Sequence, residues 1–245
     1  MATLFQQPDG SESPLLPREL TMLISDCLEA PATFLIVQQV AQALKAKRKC
    51  VILGLYQSFD YYNAILRKQG IQLLSERERG NVAYIDVASM IPQPDIVKHL
   101  LENLKKHILE GTLLVMDDFS GLLHSGLPAL GLLKLFRKMQ ALIRQSSSSL
   151  IAVYHDDAFS PGKAQISRLS DDAFLLRNIV QSCDIWLQTR SLRAQLTGEV
   201  RVVFVKSKLS YSPALHIGRC SSRAITAWTG KHDYALHRAA IAVQT

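Results

Sequence analysis

The chain has 245 residues, of which 48% are hydrophobic, enough to hide roughly 70% or more of its unfolded surface in one large domain or two small ones, so disorder is not the default. Its net charge of +7 sits at one end: nine basic residues face two acids between Trp186 and Thr245, and the remaining 19 of each sign balance. Four scattered cysteines, Cys27, Cys50, Cys183 and Cys220, have no CxxC spacing, which argues against a zinc site or a disulfide framework and suits buried thiols in a reducing compartment.

Residues 1–18, rich in Pro, Ser and Gly, read as a flexible tail before a single domain over 19–245. The start has no basic region followed by an apolar run, so no secretory signal is expected. No uncharged apolar stretch reaches the roughly 18 residues of a membrane span. A soluble cytosolic protein with no membrane contact is the expectation.

Leu20–Ser25 is a short apolar strand candidate, and Val37, Val40, Ala41 and Leu44 recur at helical spacing after it. Lys45, Lys47, Arg48 and Lys49 follow near that helix end, where cations suit the negative end of the dipole. Cys50–Leu55 is a continuous apolar run and reads as a buried strand. Ser58 can cap the next helix, whose buried side carries Phe59, Tyr62 and Leu66, and Gly70 closes it. Ser75 to Glu78 matches a capping box, but Gly80 and a strand over Val82–Val87 follow so soon that a charged surface turn is expected.

Val97, Leu100, Leu101, Leu104 and Ile108 make an amphipathic helix that stops at Gly111, and Thr112–Met116 is a strand ending abruptly on Asp117 and Asp118. Leu132, Leu133, Phe136, Met139 and Ile143 give a further helix face. A polar break at 145–149 precedes the strand Leu150–Tyr154, a polar loop from His155 to Arg168, and a helix from about Asp171 to Gln181. Strands alternating with helices predict a mostly parallel sheet covered on both faces. After Ser182 the pattern changes: Asp184–Gln188 and Val200–Lys206, joined through Thr197-Gly198, predict an antiparallel C-terminal edge.

Such a sheet binds ligands at the carboxyl ends of its strands. A phosphate-binding loop needs glycines whose N–H groups can wrap phosphates, a lysine for their charge and a hydroxyl for magnesium. The first strand-to-helix junction, Asp26 to Thr33, has no glycine and no lysine. Asp26 and Glu29 would repel a triphosphate, Pro31 lacks an N–H, and only Thr33 stands where a magnesium hydroxyl belongs. Asp117-Asp118 resembles the carboxylate that positions a nucleotide's magnesium, yet without a cradle the pair is expected to cap a helix or accept backbone amides. Tyr56 and Gln57 stand where recombinase-type ATPases carry a catalytic carboxylate, and neither is a competent base.

No HExxH, GxSxG or paired-cysteine constellation is present. His155 with Asp156 and Asp157 suggests a base and an orienting acid, but adjacent residues seldom converge on one substrate atom, and a hydrogen-bonded loop is the better reading. His124 and Ser125 are expected in a plain turn. The residues therefore predict no catalytic site, no cofactor and no metal.

Several short runs resemble one family. Gln57-Ser58-Phe59 with Tyr62 and Gly70, then Glu76-Arg77-Glu78-Arg79-Gly80 before a strand, are similar to the sixth subunit of the Elongator complex. So are Leu114 to Asp118 with Leu122-Leu123, the strand end Tyr154-His155-Asp156, and Thr197 to Val202. The matches run in order from about residue 20 to 206, and little beyond Tyr211 can be matched. The resemblance implies a RecA-like three-layer α/β fold that has lost its phosphate-binding loop. It also implies a non-catalytic role in a hetero-hexameric ring with the fourth and fifth subunits. That ring attaches to the catalytic Elongator subcomplex, contacts tRNA and supports wobble-uridine modification, in the cytoplasm and also the nucleus. The alternative is a RecA-like ATPase or recombination accessory protein whose nucleotide site a neighbour completes.

In RecA-like rings the loop after the fourth core strand faces the central channel. Here it holds Pro161-Gly162-Lys163, Gln165 and Arg168, and Lys163 and Arg168 are candidate phosphate contacts. Lys206, Lys208, Arg219 and Arg223 in the basic C-terminal stretch extend the same candidate surface. The competing expectation is a solvated loop and a C-terminal charge that meets an acidic partner.

Overall fold

Eight strands form one sheet whose centre is built from continuous apolar runs. The computed structural model describes residues 15–93, 95–156 and 170–189 in full, and the backbone of 5–6, 12–13, 190–191, 198–205, 228–229, 235–236 and 240–243. In chain order the strands are β1 Thr21–Asp26, β2 Cys50–Gly54, β3 Val82–Asp86, β4 Leu113–Met116, β5 Ser149–His155, β6 Ile185–Ser191, β7 Gly198–Val205 and β8 Ala240–Val243. Their spatial order is β3-β2-β4-β5-β1-β6-β7-β8. The first six of that order run parallel; β7 is antiparallel to β6, and β8 to β7. Two separate two-residue pairs join Phe5–Gln6 to Glu12–Ser13 and Trp228–Thr229 to Ala235–Leu236.

Parallel strands need crossovers, and helices supply them on both faces. One face carries α1 Thr33–Lys45, α2 Phe59–Lys68 and α3 Leu73–Glu78; the other carries α4 Ile96–His107, α5 Ser120–His124, α6 Ala129–Gln145 and α7 Asp171–Ser182. The period-two geometry of β1 divides its side chains between the layers: Met22 and Ile24 pack under α1, and Leu23 packs with the α4–α6 side. β1, β2 and β4 are buried at every residue, as a sheet covered on both faces requires. This is the RecA-like three-layer α/β arrangement, with the antiparallel C-terminal edge in place. Among the described residues no helix is long and apolar enough to cross a membrane.

Local signals behave as the chemistry demands. Ser58 caps α2 by accepting the Tyr61 N–H at 3.2 Å, and Gly70 follows that helix at φ +79°, the left-handed position glycine fills without strain. Three readings need correction. Ser75 to Glu78 lies in α3 rather than a turn, because fully buried Leu73 anchors it and Glu76 accepts from both Arg79 and the Asn81 side chain. His124 closes the short helix α5, with Nε2 3.5 Å from an Asp172 carboxylate oxygen. Arg48 does not serve the end of α1. It turns inward, donating to the carbonyls of Gly111 at 2.9 Å and Leu16 at 2.8 Å and to Ser149 Oγ at 2.8 Å.

That clasp also anchors the chain ahead of the first core strand. Leu16 is fully buried, its N–H donates to Gln39 Oε1 at 2.8 Å, and Pro17 C=O accepts from Ser149 Oγ. Residues 15–18 are thus part of the packed structure.

Candidate functional site

The carboxyl ends of β1, β2, β4 and β5 meet where this fold places ligands, and three carboxylates and a histidine gather there. Asp117, just past β4, is 2% exposed. One of its oxygens accepts the N–H groups of Leu55 at 2.7 Å and Tyr56 at 3.1 Å. The other accepts Gln57 N–H at 2.9 Å and the Tyr62 hydroxyl at 3.2 Å. Burial pushes the Asp117 carboxyl up from its ordinary value, and the three amides and the phenol pull it back. Burial, and then the adjacent Asp117 charge, push the Tyr62 phenol far above its ordinary range.

The β2–α2 loop is fixed from its other side as well. Gln57 C=O accepts the Tyr84 hydroxyl at 2.7 Å. That ring crosses Gly54 so closely that a Cβ there would lie 2.0 Å from the hydroxyl oxygen and 2.4 Å from the ring. Burial raises the Tyr84 phenol to about 12. An Asp at the end of β4 would orient magnesium in a nucleotide enzyme; here both of its oxygens are occupied by the chain's own loop.

The second group joins β1 to β5 and β4. Asp26, the last residue of β1, is 3% exposed, and its Oδ2 accepts Ala32 N–H at 2.6 Å at the head of α1. Its Oδ1 pairs with His155 Nδ1. His155 Nε2 stands 3.8 Å from Asp118 Oδ2, so one imidazole lies between two carboxylates. Asp118 Oδ1 accepts from Ser120 Oγ at 2.7 Å and Gly121 N–H at 2.8 Å, and Ser120 Oγ accepts His155 N–H at 3.1 Å. The Tyr56 ring closes over His155 edge-on, with centroids 5.1 Å apart.

This arrangement sets an acid where a phosphate would approach the head of α1. Helix N-termini bind anions because their first N–H groups are open and the dipole favours negative charge. Just ahead of α1 the Ala32 N–H points at the Asp26 carboxylate, Ala30 N–H folds back on Cys27 C=O at 2.9 Å, and Ala30 C=O is held by the Thr189 hydroxyl at 2.6 Å. Asp26 therefore occupies the place of an anion and repels another. Among the described residues no three His, Cys, Asp or Glu side chains are arranged to hold a metal ion. An open groove of about 370 Å³, lined by Lys45, Gln72, Ser75, Glu76 and Arg79 among others, lies beside the C-terminal ends of α1 and α2, away from this cluster.

The sequence reading of Asp117 and Asp118 as acceptors of backbone amides matches this geometry. The partnership of His155 with Asp26 was invisible to it: 129 residues separate the two, and only the pairing of β1 with β5 brings them together. The candidate nucleic-acid residues Lys163 and Arg168, and Lys206, Lys208, Arg219 and Arg223, lie outside the described residues.

With the geometry in hand, three likenesses to known proteins bear on it. The family described as Elongation complex protein 6 matches residues 11–96, a stretch that contains Gln57-Ser58-Phe59 and Glu76 to Gly80. The chain is 33% identical over 128 residues to Elongator complex protein 6 of Danio rerio; the match covers 51% of this chain and 41% of that relative's length. A crystal structure of an uncharacterized Pyrococcus horikoshii protein in complex with an unknown peptide superposes with a TM-score of 0.58. It covers 78% of this chain and 85% of its own at 11% identity, a likeness of fold alone.

Proposed function

Starting from a chain related to the Elongation complex protein 6 family over its first part, we propose that it is a non-catalytic subunit of the Elongator complex. In this reading it forms a hetero-hexameric RecA-like ring with the fourth and fifth subunits. The ring binds the catalytic subcomplex, contacts tRNA in support of wobble-uridine modification, and works in the cytoplasm and nucleus. The observation that carries the non-catalytic part is the Asp26 carboxylate on the Ala32 N–H: an internal anion sits where a nucleotide's phosphates would need open amides. The alternative, a RecA-like ATPase completed by a neighbour, has to place a triphosphate beside Asp26, Asp117 and Asp118.

Calorimetry with magnesium and ATP tests this on the lone chain, and no micromolar binding is expected. Micromolar binding by the isolated chain would overturn the reading. Assembly is tested by co-expression with the fourth and fifth subunits, which should give one large species on sizing; a well-behaved monomer that ignores both refutes it. For tRNA, Lys163→Ala with Arg168→Ala in the assembled ring should weaken binding. It should also flatten the salt dependence of log K by about 0.7 to 0.9 for each phosphate that is no longer neutralised. Unchanged affinity and slope would remove this loop from the RNA interface.

A further inference from the structure

Outside the C-terminal stretch the charges of this chain balance in number but not in place. In the segments at the carboxyl ends of the strands (26–36, 55–62, 86–99, 117–132, 155–156 and 170–174) ten acids face one basic residue, Lys98. Helices that cross back over a parallel sheet end at its amino edge, and there the balance reverses. The segments 15–20, 42–49, 65–81, 104–112, 142–148 and 179–184 hold twelve basic residues and five acids. Backbone bonds set four of these segments side by side. Cys50 N–H donates to Asn81 C=O at 2.9 Å, Leu113 N–H to Lys49 C=O at 2.8 Å, and Gly111 N–H to Ser146 C=O at 3.0 Å.

Lys45, Lys47, Lys49, Arg67 and Lys68 are exposed, and among the described residues no carboxylate pairs with any of them. The helix dipole accounts for cations in a last turn, whereas Arg18, Lys47, Lys49 and Arg79 lie beyond those turns. The groove of about 370 Å³ opens on this surface, with Lys45 from α1 and Gln72, Ser75 and Arg79 from the α3 side lining it.

The two ends differ in apolar character as well. Every exposed aromatic side chain among the described residues, Phe34, Tyr56 and Phe174, lies at the carboxyl end. Protein interfaces are enriched in aromatics and depleted in lysine, so the amino end is the poorer surface for a protein. Single-stranded nucleic acid stacks its bases on aromatic platforms, and the amino end exposes none. What it offers is an array of cations, which suits the regularly spaced phosphates of a helical nucleic acid.

We infer that the amino end of the sheet, from Lys45 and Lys47 past Lys68 to Arg79, binds the phosphate backbone of a helical RNA segment without reading its bases. The acidic carboxyl end repels the same polymer, so the charge separation also orients the chain on it. The inference rests on the tRNA contact proposed above and gives that contact residues other than Lys163 and Arg168.

The test is titration of an unmodified tRNA transcript into the assembly with the fourth and fifth subunits at several salt concentrations. Lys45→Gln with Lys47→Gln and Lys68→Gln should weaken binding about tenfold or more and flatten the salt dependence of log K by about 2 to 3. Lys98→Gln, at the acidic end, should change neither; an equal loss there reduces the effect to net charge and overturns the site. In the wild-type assembly, bound tRNA should shield Lys45, Lys47 and Lys68 from chemical acetylation. Unchanged affinity and slope in the triple variant overturn this surface, and the tRNA reading stands because the wild type binds. A wild-type assembly that binds no tRNA overturns both. Lysines already shielded before tRNA is added are covered by a protein, which overturns the proposal. So does a polyuridine strand that binds as tightly as the transcript, since it has no helix to offer. If the triple variant does not fold, shielding in the wild-type assembly decides alone.

Discussion

At the two ends of the sheet, side chains of opposite kind tie the backbone together: a half-buried guanidinium at one and a buried carboxyl at the other. At the amino end the Arg48 guanidinium donates to Leu16, Gly111 and Ser149, which precede or begin three different strands. At the carboxyl end Asp117 accepts from Leu55, Tyr56, Gln57 and Tyr62, all from one loop and the helix it starts. Neither has an oppositely charged side chain among these partners. The amino end of such a sheet ordinarily serves stability, and Arg48 conforms to that. The carboxyl end ordinarily holds the ligand, and here it has been turned to the same structural use. Donors and acceptors at the heads of α1 and α2 here hold one another: Asp26 takes the Ala32 N–H, and Asp117 takes the amides of Leu55, Tyr56 and Gln57.

The carboxyl-end acid carries the larger share. Asp117→Ala leaves three backbone amides and a buried phenol without an acceptor, and should destabilise the fold by about 3–5 kcal/mol, read from urea unfolding. A loss under about 1 kcal/mol would mean that water enters and satisfies the loop. The pH dependence sharpens this. Burial raises the Asp117 carboxyl above its ordinary value, so the native state binds the proton more tightly than the unfolded chain does. Its contribution is then fully present below the ordinary carboxylate value and is lost as the pH rises through the folded one. The stability of wild type relative to Asp117→Asn should therefore decline as the pH rises from the ordinary carboxylate range upward. A rise over that window would show that the four donors outweigh burial.

Arg48→Ala should cost less, about 2–3 kcal/mol, because the side chain is only half-buried and water can reach the freed carbonyls. Arg48→Lys should recover little, since an ammonium cannot reach three acceptors with a planar fork. The loss should appear first as faster proteolysis near residues 15–18, the stretch the clasp ties down. Equal losses at Arg48 and Asp117 would remove the asymmetry between the two ends.

Much of this was legible in the sequence, and the exceptions share a cause. The runs Cys50–Leu55 and Thr112–Met116 announced buried strands, observed over Cys50–Gly54 and Leu113–Met116, because a strand covered on both faces needs no polar side chain. The carboxylates after β4 were local signals, and both accept backbone amides as read. Arg48 misled because its sequence neighbours Lys45, Lys47 and Lys49 make it look like one more helix-end cation, whereas its three partners come from segments up to 101 residues away. Asp26 and His155 stayed unconnected for the same reason. α3 was missed because Leu73 supplies its anchoring through tertiary burial, which no six-residue periodicity can display.

Gly54→Ala probes how tightly the carboxyl-end loop is held. The new Cβ would overlap the Tyr84 ring and hydroxyl, forcing the tyrosine off Gln57 C=O at an expected cost of about 1–3 kcal/mol. Most of that cost should vanish in a Tyr84→Ala background, where space opens and the hydroxyl is already gone. A full penalty persisting there would place the strain in the β2 backbone instead.

The smallest effect tests whether the Asp117 loop and the helix it starts are one unit. Ser58 caps α2 by accepting Tyr61 N–H at 3.2 Å, directly after Gln57, whose N–H is held by Asp117. Ser170 caps α7 through Ala173 N–H at the same 3.2 Å, on the opposite face of the sheet. Each serine replaced by alanine should cost about 1 kcal/mol in the wild type. With Asp117→Ala the loop that orients Ser58 is released, so Ser58→Ala should then cost clearly less, and Ser170→Ala should keep its full effect. Contacting residues in one network couple by about 0.5 kcal/mol or more, while distant ones add. Unfolding free energies of the five single and double variants decide it. Strict additivity at Ser58 would mean that the cap forms without the Asp117 knot, and that the loop between β2 and α2 is held in two independent pieces.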